Sequence, residues 1–532
     1  MDTTPFVAVR GDHGAAATPH YLATQAAMAC LMDGGNAVDA AVTANAVLGV
    51  VEPAACGLGG DLFMLLHEGA SGRILALNGS GRAGGAMTAE TYRAQGLEAM
   101  PQRGALSVTV PGAVDAWDVA LTRAGTRGLD EVLQPAIRYA EEGFAAGRFL
   151  TSNIERSASV LTPEAHARYL PGGRVPRRGE RFRQPELAAT LRLLAAGGRD
   201  AFYRGDLADR IAGAVQQAGG LLTAEDFAEQ PPAEWVEPVR GAYRGREVVQ
   251  APPNSHGIAT LLMLNILEGY EFSATEMSAQ DVHLMVEAKH AAFVERDRWV
   301  ADPATMSEPA PLGRLLSPAW ADEARAAIDP TRARVAAGSA GGGDTVYLAV
   351  VDRDGNAVSL VESLYWIFGS GMVAGDTGVV LHNRAGGFTL DASHPNALAP
   401  GKRPFHTLAP AMLLEDGALS LLFGTRGAHG QPQTHVQLLH RLLDQRMGLA
   451  EALAAPRWIS GSVDGQDTRT LRVESRFGDD VIDALRGLGH SVEAGAPWDD
   501  ATGHTNAISI DHEQGFMTAA TDPRSDGAAQ AW

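Results

Sequence analysis

The chain has 532 residues, of which 45% are hydrophobic and 20% charged, and a formal net charge of −20. That size and balance describe a large globular protein rather than a disordered or fibrous one. The longest apolar stretches, such as residues 40–51, fall short of the roughly 18 residues a spanning helix needs, and the acidic balance disfavours nucleic acid or an anionic membrane as partner.

The amino terminus, MDTTPFVAVRGDHG, has no basic segment followed by an apolar one, so no secretory signal is visible and a cytoplasmic location is expected. A first helix is predicted to start at Thr18-Pro19, with Leu22, Ala26, Ala27 and Cys30 along one face. Gly34-Gly35 ends it, and Asn36 caps a second helix running to Leu48. Cys30 and Cys56 are too few for a disulfide framework or a cysteine zinc site and are read as buried thiols. The glycine-rich turn over residues 56–60 leads into a strand over 62–66. Helical patterning dominates residues 130–330, as over 185–196, 206–217 and 278–297. The segment RARVAAGSAGGG then cannot bury enough apolar surface to fix itself, so a flexible strip is expected over 331–344. Beyond it, short alternating runs predict strands over 345–351, 356–363, 411–414, 419–423, 507–510 and 516–520. Asp354-Gly355 and Asp416-Gly417 supply hairpin turns.

The first of these hairpins carries the chemistry. Symmetry about Asp354 sets Thr345 opposite Ser363, where directly opposed side chains lie about 5 Å apart and two hydroxyls can hydrogen-bond. Such a pair can be purely structural. Its position, however, follows a glycine- and alanine-rich strip that ends in Asp344, as a self-cleaving junction would require. The Thr345 hydroxyl can attack the Asp344 carbonyl, and hydrolysis of the resulting ester frees the Thr345 α-amino group. That amine titrates near 7.7–8.0 and can take the proton from its own hydroxyl, so one residue supplies nucleophile and base.

The stretch GGGDTVYLAVVDRDGNAVSLVESLYWIFGSGMVAGDTGVVLHN, residues 341–383, resembles the processing junction of gamma-glutamyltransferases. The resemblance extends to GGNAVDAAVTANAVLGVVEPAACGLGGDLFML (34–65), GKRPFHTLAPAM (401–412), FGTRGAHGQPQ (423–433) and DPRSDGAA (522–529). It implies an α/β fold, the four-layer αββα sandwich of N-terminal-nucleophile hydrolases, made as a zymogen. Residues 1–344 would form the large subunit and 345–532 the small one, intertwined in one domain. Thr345 would be the nucleophile, and Gly427 and Ala428 would supply the oxyanion-hole amides. An ordinary turn is the alternative for that pair. The resemblance implies no cofactor and no metal; Asp61, His256, His429 and Asp522 have no metal-ligand spacing. Partners are limited to a small-molecule amide and the chain's own subunits, with a homo-oligomer left open.

The acyl-binding positions depart from the family. Aligned motif by motif, the arginine that holds an α-carboxylate falls on Ser80, the asparagine on Tyr365, the aspartate that holds an α-amino group on Gly387, and the serine pair on His406-Thr407. Arg82 and Arg384 remain as candidate carboxylate clamps. His406 reads either as a packing residue or as a proton shuttle. The resemblance implies hydrolysis, with little transfer, of a γ-glutamyl-like amide such as glutathione. The altered positions point instead to a glutaryl- or oxamate-like acyl group without an α-amino group, and a silent family member is the remaining alternative.

Overall fold

The computed structural model describes residues 7–334, 344–461 and 470–532. Most of the glycine- and alanine-rich strip, residues 335–343, lies outside the described residues. Two seven-stranded sheets form the middle of the molecule. One runs Val9–Gly11, Phe516–Thr521, Thr505–Asp511, Ala418–Thr425, Ala411–Glu415, Arg246–Gln250, Val239–Tyr243. The other runs Ala528–Ala531, Gly14–Thr18, Asp344–Asp352, Ala357–Tyr365, Asp61–His67, Ile74–Gly79, Glu234–Val236.

Period-two alternation sorts the side chains into layers. Along Asp344–Asp352, Val346, Leu348 and Val350 join a core shared with the helices Tyr21–Met32 and Ala37–Val51. Tyr347, Ala349 and Val351 point the other way, into a core between the sheets with Met412, Leu422 and Ile508. The far face of the first sheet buries Leu413, Leu421 and Phe423 against the helices Gly257–Leu267, Ala279–Trp299 and Gln431–Leu443. Helix, sheet, sheet, helix is the resulting order: the αββα sandwich. Strands from before and after residue 344 occur in both sheets.

Three expectations change. The first helix spans Tyr21–Met32 with His20 as its cap, because Thr18 is held in a ladder opposite Ala528 and cannot leave the sheet. Residues 234–250, expected within a helical layer, supply three strands: Glu234–Val236 and Val239–Tyr243 at sheet edges, and Arg246–Gln250, which follows a turn at Arg244 (φ 51°) and Gly245 and pairs on both sides. The hairpin register about Asp354 holds from Val346 opposite Glu362 to Val351 opposite Ala357. A bulge then sets Asp344 opposite Tyr365 and puts Thr345 at the irregularity rather than in a plain cross-strand pair.

Leu360 is fully buried on the helix-facing side of the central hairpin. Leu360→Ala is expected to cost about 2–5 kcal/mol through lost transfer energy and the cavity left behind, read as a lower urea midpoint with an unchanged slope.

Candidate active site

Thr345 and Ser363 are both buried, and the Thr345 hydroxyl donates to Ser363 Oγ at 3.2 Å. Ser363 Oγ also accepts the Tyr365 N–H at 2.7 Å. That second bond bends the strand end, and Tyr365 takes a φ of 78°, a region unfavourable for a bulky residue. Phe368, three residues on, has a φ of 58°. Backbone strain of this kind costs on the order of 1–3 kcal/mol per residue and concentrates at functional sites.

A second strained turn follows the strand Ala418–Thr425. Gly427 has a φ of 118° and Ala428 a φ of 43°, so the Cβ that replaces a glycine sits in the left-handed region. Neither N–H has an acceptor among the described residues, and the helix Gln431–Leu443 begins just beyond. Tyr347, two residues from Thr345, packs its ring over Gly424, three residues before Gly427. The sheets thereby bring this turn toward the Thr345 end of the hairpin.

On the other side of Ser363 its strand partner is Asp61. The Asp61 carboxylate is wholly buried: Oδ1 accepts the N–H groups of Gly81 at 2.8 Å and Gly112 at 3.0 Å. Oδ2 lies 3.2 Å from His382 Nδ1, 3.2 Å from His406 Nε2 and 3.8 Å from Arg384 Nε. Burial alone would raise its pKa, but the two imidazoles outweigh burial and hold the carboxyl well below its ordinary range. Burial, then the neighbouring Arg384, pushes His406 down to about 3, so it is neutral. His382 Nε2 donates to the Thr109 carbonyl at 2.8 Å.

Arg384 is fully buried, and none of its three guanidinium nitrogens has a hydrogen-bond acceptor among the described residues. Its guanidinium stacks 4.3 Å from the Tyr365 ring centroid, and burial lowers its pKa to about 10. Arg82, its fellow candidate, is engaged elsewhere: Nη1 donates to the Gly401 carbonyl at 2.9 Å, and Glu234 and Asp302 lie at 3.4 and 3.6 Å. Ser80 accepts from Asn254 Nδ2 at 3.1 Å and adjoins Gly81, beside the Asp61 carboxylate. Thr407 is buried next to His406.

Tyr365, Gly387, Phe405, Arg296, Asp297 and His429 line a cavity of about 250 Å³. A Cβ on Gly387 would lie 2.9 Å from the Phe405 carbonyl oxygen, so the residue here stays small without a backbone shift. Sequence reading brought Thr345, Ser363, Tyr365 and Arg384 to one place. It missed Asp61 and His382, treated His406 as solitary, and did not single out Arg296. The available signal was Asp61 closing the GLGGD turn at the mouth of a strand.

A family model described as gamma-glutamyltranspeptidase matches residues 23–532. The chain is 45% identical over 522 residues to a "Glutathione hydrolase-like YwrD proenzyme" of Bacillus subtilis, covering 96% of this chain and 97% of that protein. It is 40% identical to an "Oxamate amidohydrolase proenzyme" of Klebsiella pneumoniae, covering 98% of each. Among solved structures, a cephalosporin acylase from Bacillus halodurans superposes with a TM-score of 0.91 at 37% identity, covering 100% of this chain and 99% of that one.

Asp61→Asn removes the one anion facing three buried donors and is expected to destabilise the fold by about 3–5 kcal/mol at pH 7. A carboxyl whose folded pKa is depressed contributes stability above its unfolded pKa and loses it as pH falls. The gap between the wild-type and Asp61→Asn melting curves should therefore close as pH drops below about 4.

Proposed function

The chain belongs to the gamma-glutamyltranspeptidase family of N-terminal-nucleophile amidohydrolases, and on that premise we propose that it cuts itself before Thr345 and uses the exposed residue to hydrolyse amides of carboxylate-bearing acyl groups. The observation that carries this reading is the Thr345 hydroxyl, 3.2 Å from Ser363 Oγ at a strand bulge. In the self-cleavage step, Thr345 Oγ attacks the Asp344 carbonyl carbon and the acyl group moves from nitrogen to oxygen. Water then hydrolyses the ester, leaving a free α-amine.

In turnover, that amine takes the Thr345 hydroxyl proton as Oγ attacks the substrate carbonyl. The Gly427 and Ala428 N–H groups receive the oxyanion. The proton passes to the leaving amine as the C–N bond breaks, and water releases the acyl group from Thr345. Ser363 holds the attacking hydroxyl in position through its hydrogen bond.

The acyl group is proposed to carry a carboxylate and no α-amino group, in the manner of glutaryl or oxalyl amides. Arg384 supports this as a buried guanidinium without an acceptor. Gly387 supports it by leaving no carboxylate where an ammonium group would need one. In the cavity lining, the one carboxylate is Asp297, which Arg296 already engages at 2.7 Å. Tyr365 narrows the acceptor side and favours water over transfer.

Thr345→Ala should remain a single full-length chain, while the wild type yields two fragments on a denaturing gel. Edman sequencing of the smaller fragment should read Thr-Val-Tyr-Leu; two fragments from the alanine variant would refute the junction.

A kinetic panel of glutaryl-, succinyl-, oxalyl- and γ-glutamyl-anilides tests the substrate class. One of the first three is expected to exceed the γ-glutamyl amide by roughly tenfold or more in kcat/KM, since a polar group without its partner is strongly rejected. Glycylglycine should add little product; a γ-glutamyl preference with acceptor stimulation would overturn the assignment.

A further inference from the structure

The cavity beside Tyr365 has a wall that the proposed chemistry does not use. The helix Ala279–Trp299 carries Lys289, Phe293 and Arg296 at helical spacing, so they share one face. Lys289 is 3% exposed and Arg296 1% exposed. The Phe293 ring takes both cations, with Lys289 Nζ 4.8 Å and Arg296 Cζ 3.7 Å from its centroid.

Arg296 Nη1 donates to His429 Nδ1 at 2.8 Å, and its Nε donates to Asp297 Oδ1 at 2.7 Å. These two partners do not exhaust the five N–H donors of a guanidinium. Because His429 accepts at Nδ1, its other nitrogen carries the proton, and that Nε2–H has no acceptor among the described residues. Arg296 and His429 both line the cavity, and His429 directly follows Ala428.

The charge count is unbalanced. Among the described residues, these two buried cations face one carboxylate, Asp297, whose side chain is 53% exposed. Burial, with Arg296 beside it, pushes Lys289 down to about 7, and burial holds His429 well below its ordinary value. This is a place short of anions.

We propose that Arg296 and His429, which line the cavity, form a second anion subsite that takes a carboxylate on the end of the substrate that reaches into it, with Lys289, held against Phe293 on the same helix, adding buried positive charge. The proposal rests on the amidohydrolase reading and deepens it by naming a second place where a substrate carboxylate is held. The carboxylate can be carried by the leaving amine or by the far end of the acyl group.

Three amides separate the two sources: glutaryl-4-aminobenzoate, glutaryl-anilide and butyryl-anilide, assayed at pH 6, where Lys289 is protonated. If the leaving amine supplies the anion, Arg296→Met lowers kcat/KM roughly 10- to 100-fold for the aminobenzoate alone, as loss of a hydrogen bond to a charged group does. If the acyl end supplies it, both glutaryl amides fall together and the butyryl amide does not.

Equal loss on all three amides, or no loss, overturns the subsite. Lys289→Met repeats the comparison without touching the Arg296–His429 bond and carries the test if the arginine variant does not fold; an absence of charge-selective loss there overturns the proposal equally. Calorimetric titration of wild type and variants with glutarate and 4-aminobenzoate reads binding without turnover. Wild-type protein that binds these anions in an Arg296-dependent way yet cleaves none of the amides would sustain the subsite and refute the amidohydrolase assignment.

Discussion

One buried carboxylate organises the centre of this molecule. Asp61 opposes Ser363 in the sheet, accepts two backbone N–H groups, and faces two imidazoles and a guanidinium contributed by chain segments more than 300 residues away in sequence. An isolated charge at this depth would be untenable. Its Oδ1 fixes the Gly81 and Gly112 loops, and its Oδ2 faces His382, His406 and Arg384. Arg384 approaches Asp61 through Nε at 3.8 Å, while both of its terminal nitrogens lack an acceptor. The anion steadies the arginine without using it up.

The electrostatics of the whole chain and of its centre have opposite signs. A protein with a formal charge of −20 repels small carboxylates at long range, yet Arg296 lies buried in the cavity wall, Arg384 is buried against the Tyr365 ring that lines it, and Lys289 is buried against Phe293. Screening over about 8–10 Å weakens the repulsion in physiological salt, whereas charges inside the protein are screened much less. For the proposed carboxylate substrates, selection would operate at the pocket rather than at the encounter. The strained residues serve the same end: Tyr365 at a φ of 78° keeps its ring over Arg384, and Ala428 at 43° keeps its N–H clear of helical bonding.

What the sequence disclosed was local. The Asp354 turn set the hairpin register, the Asn36 capping box set the second helix, and alternation sorted the faces of the central strands, since each depends on neighbours a few residues apart. The Thr345 bulge escaped because the Ser363 hydroxyl, capturing the Tyr365 N–H, overrides simple pairing. The strands at residues 234–250 escaped because their alternation is short and lies between long helices. The Asp61, His382 and His406 cluster was illegible for a different reason. No periodicity links residues 61, 382 and 406, and only the folded chain brings both imidazoles within 3.2 Å of Asp61 Oδ2, from loops outside the strands.

The interleaving of strands from before and after residue 344 has a consequence for how the protein can be made. In an intact chain, closing these sheets is an intramolecular event, limited by loop entropy that grows only slowly with length. If the peptide bond before Thr345 is cut as proposed, the same closure becomes an association of two polypeptides, and its midpoint depends on protein concentration. Each fragment alone would hold strands with their hydrogen-bonding neighbours missing, an aggregation hazard. The proposed cut would thus turn a reversible folding reaction into a ratchet. The uncut chain can unfold and try again, while the severed form survives by the slowness with which its sheets come apart.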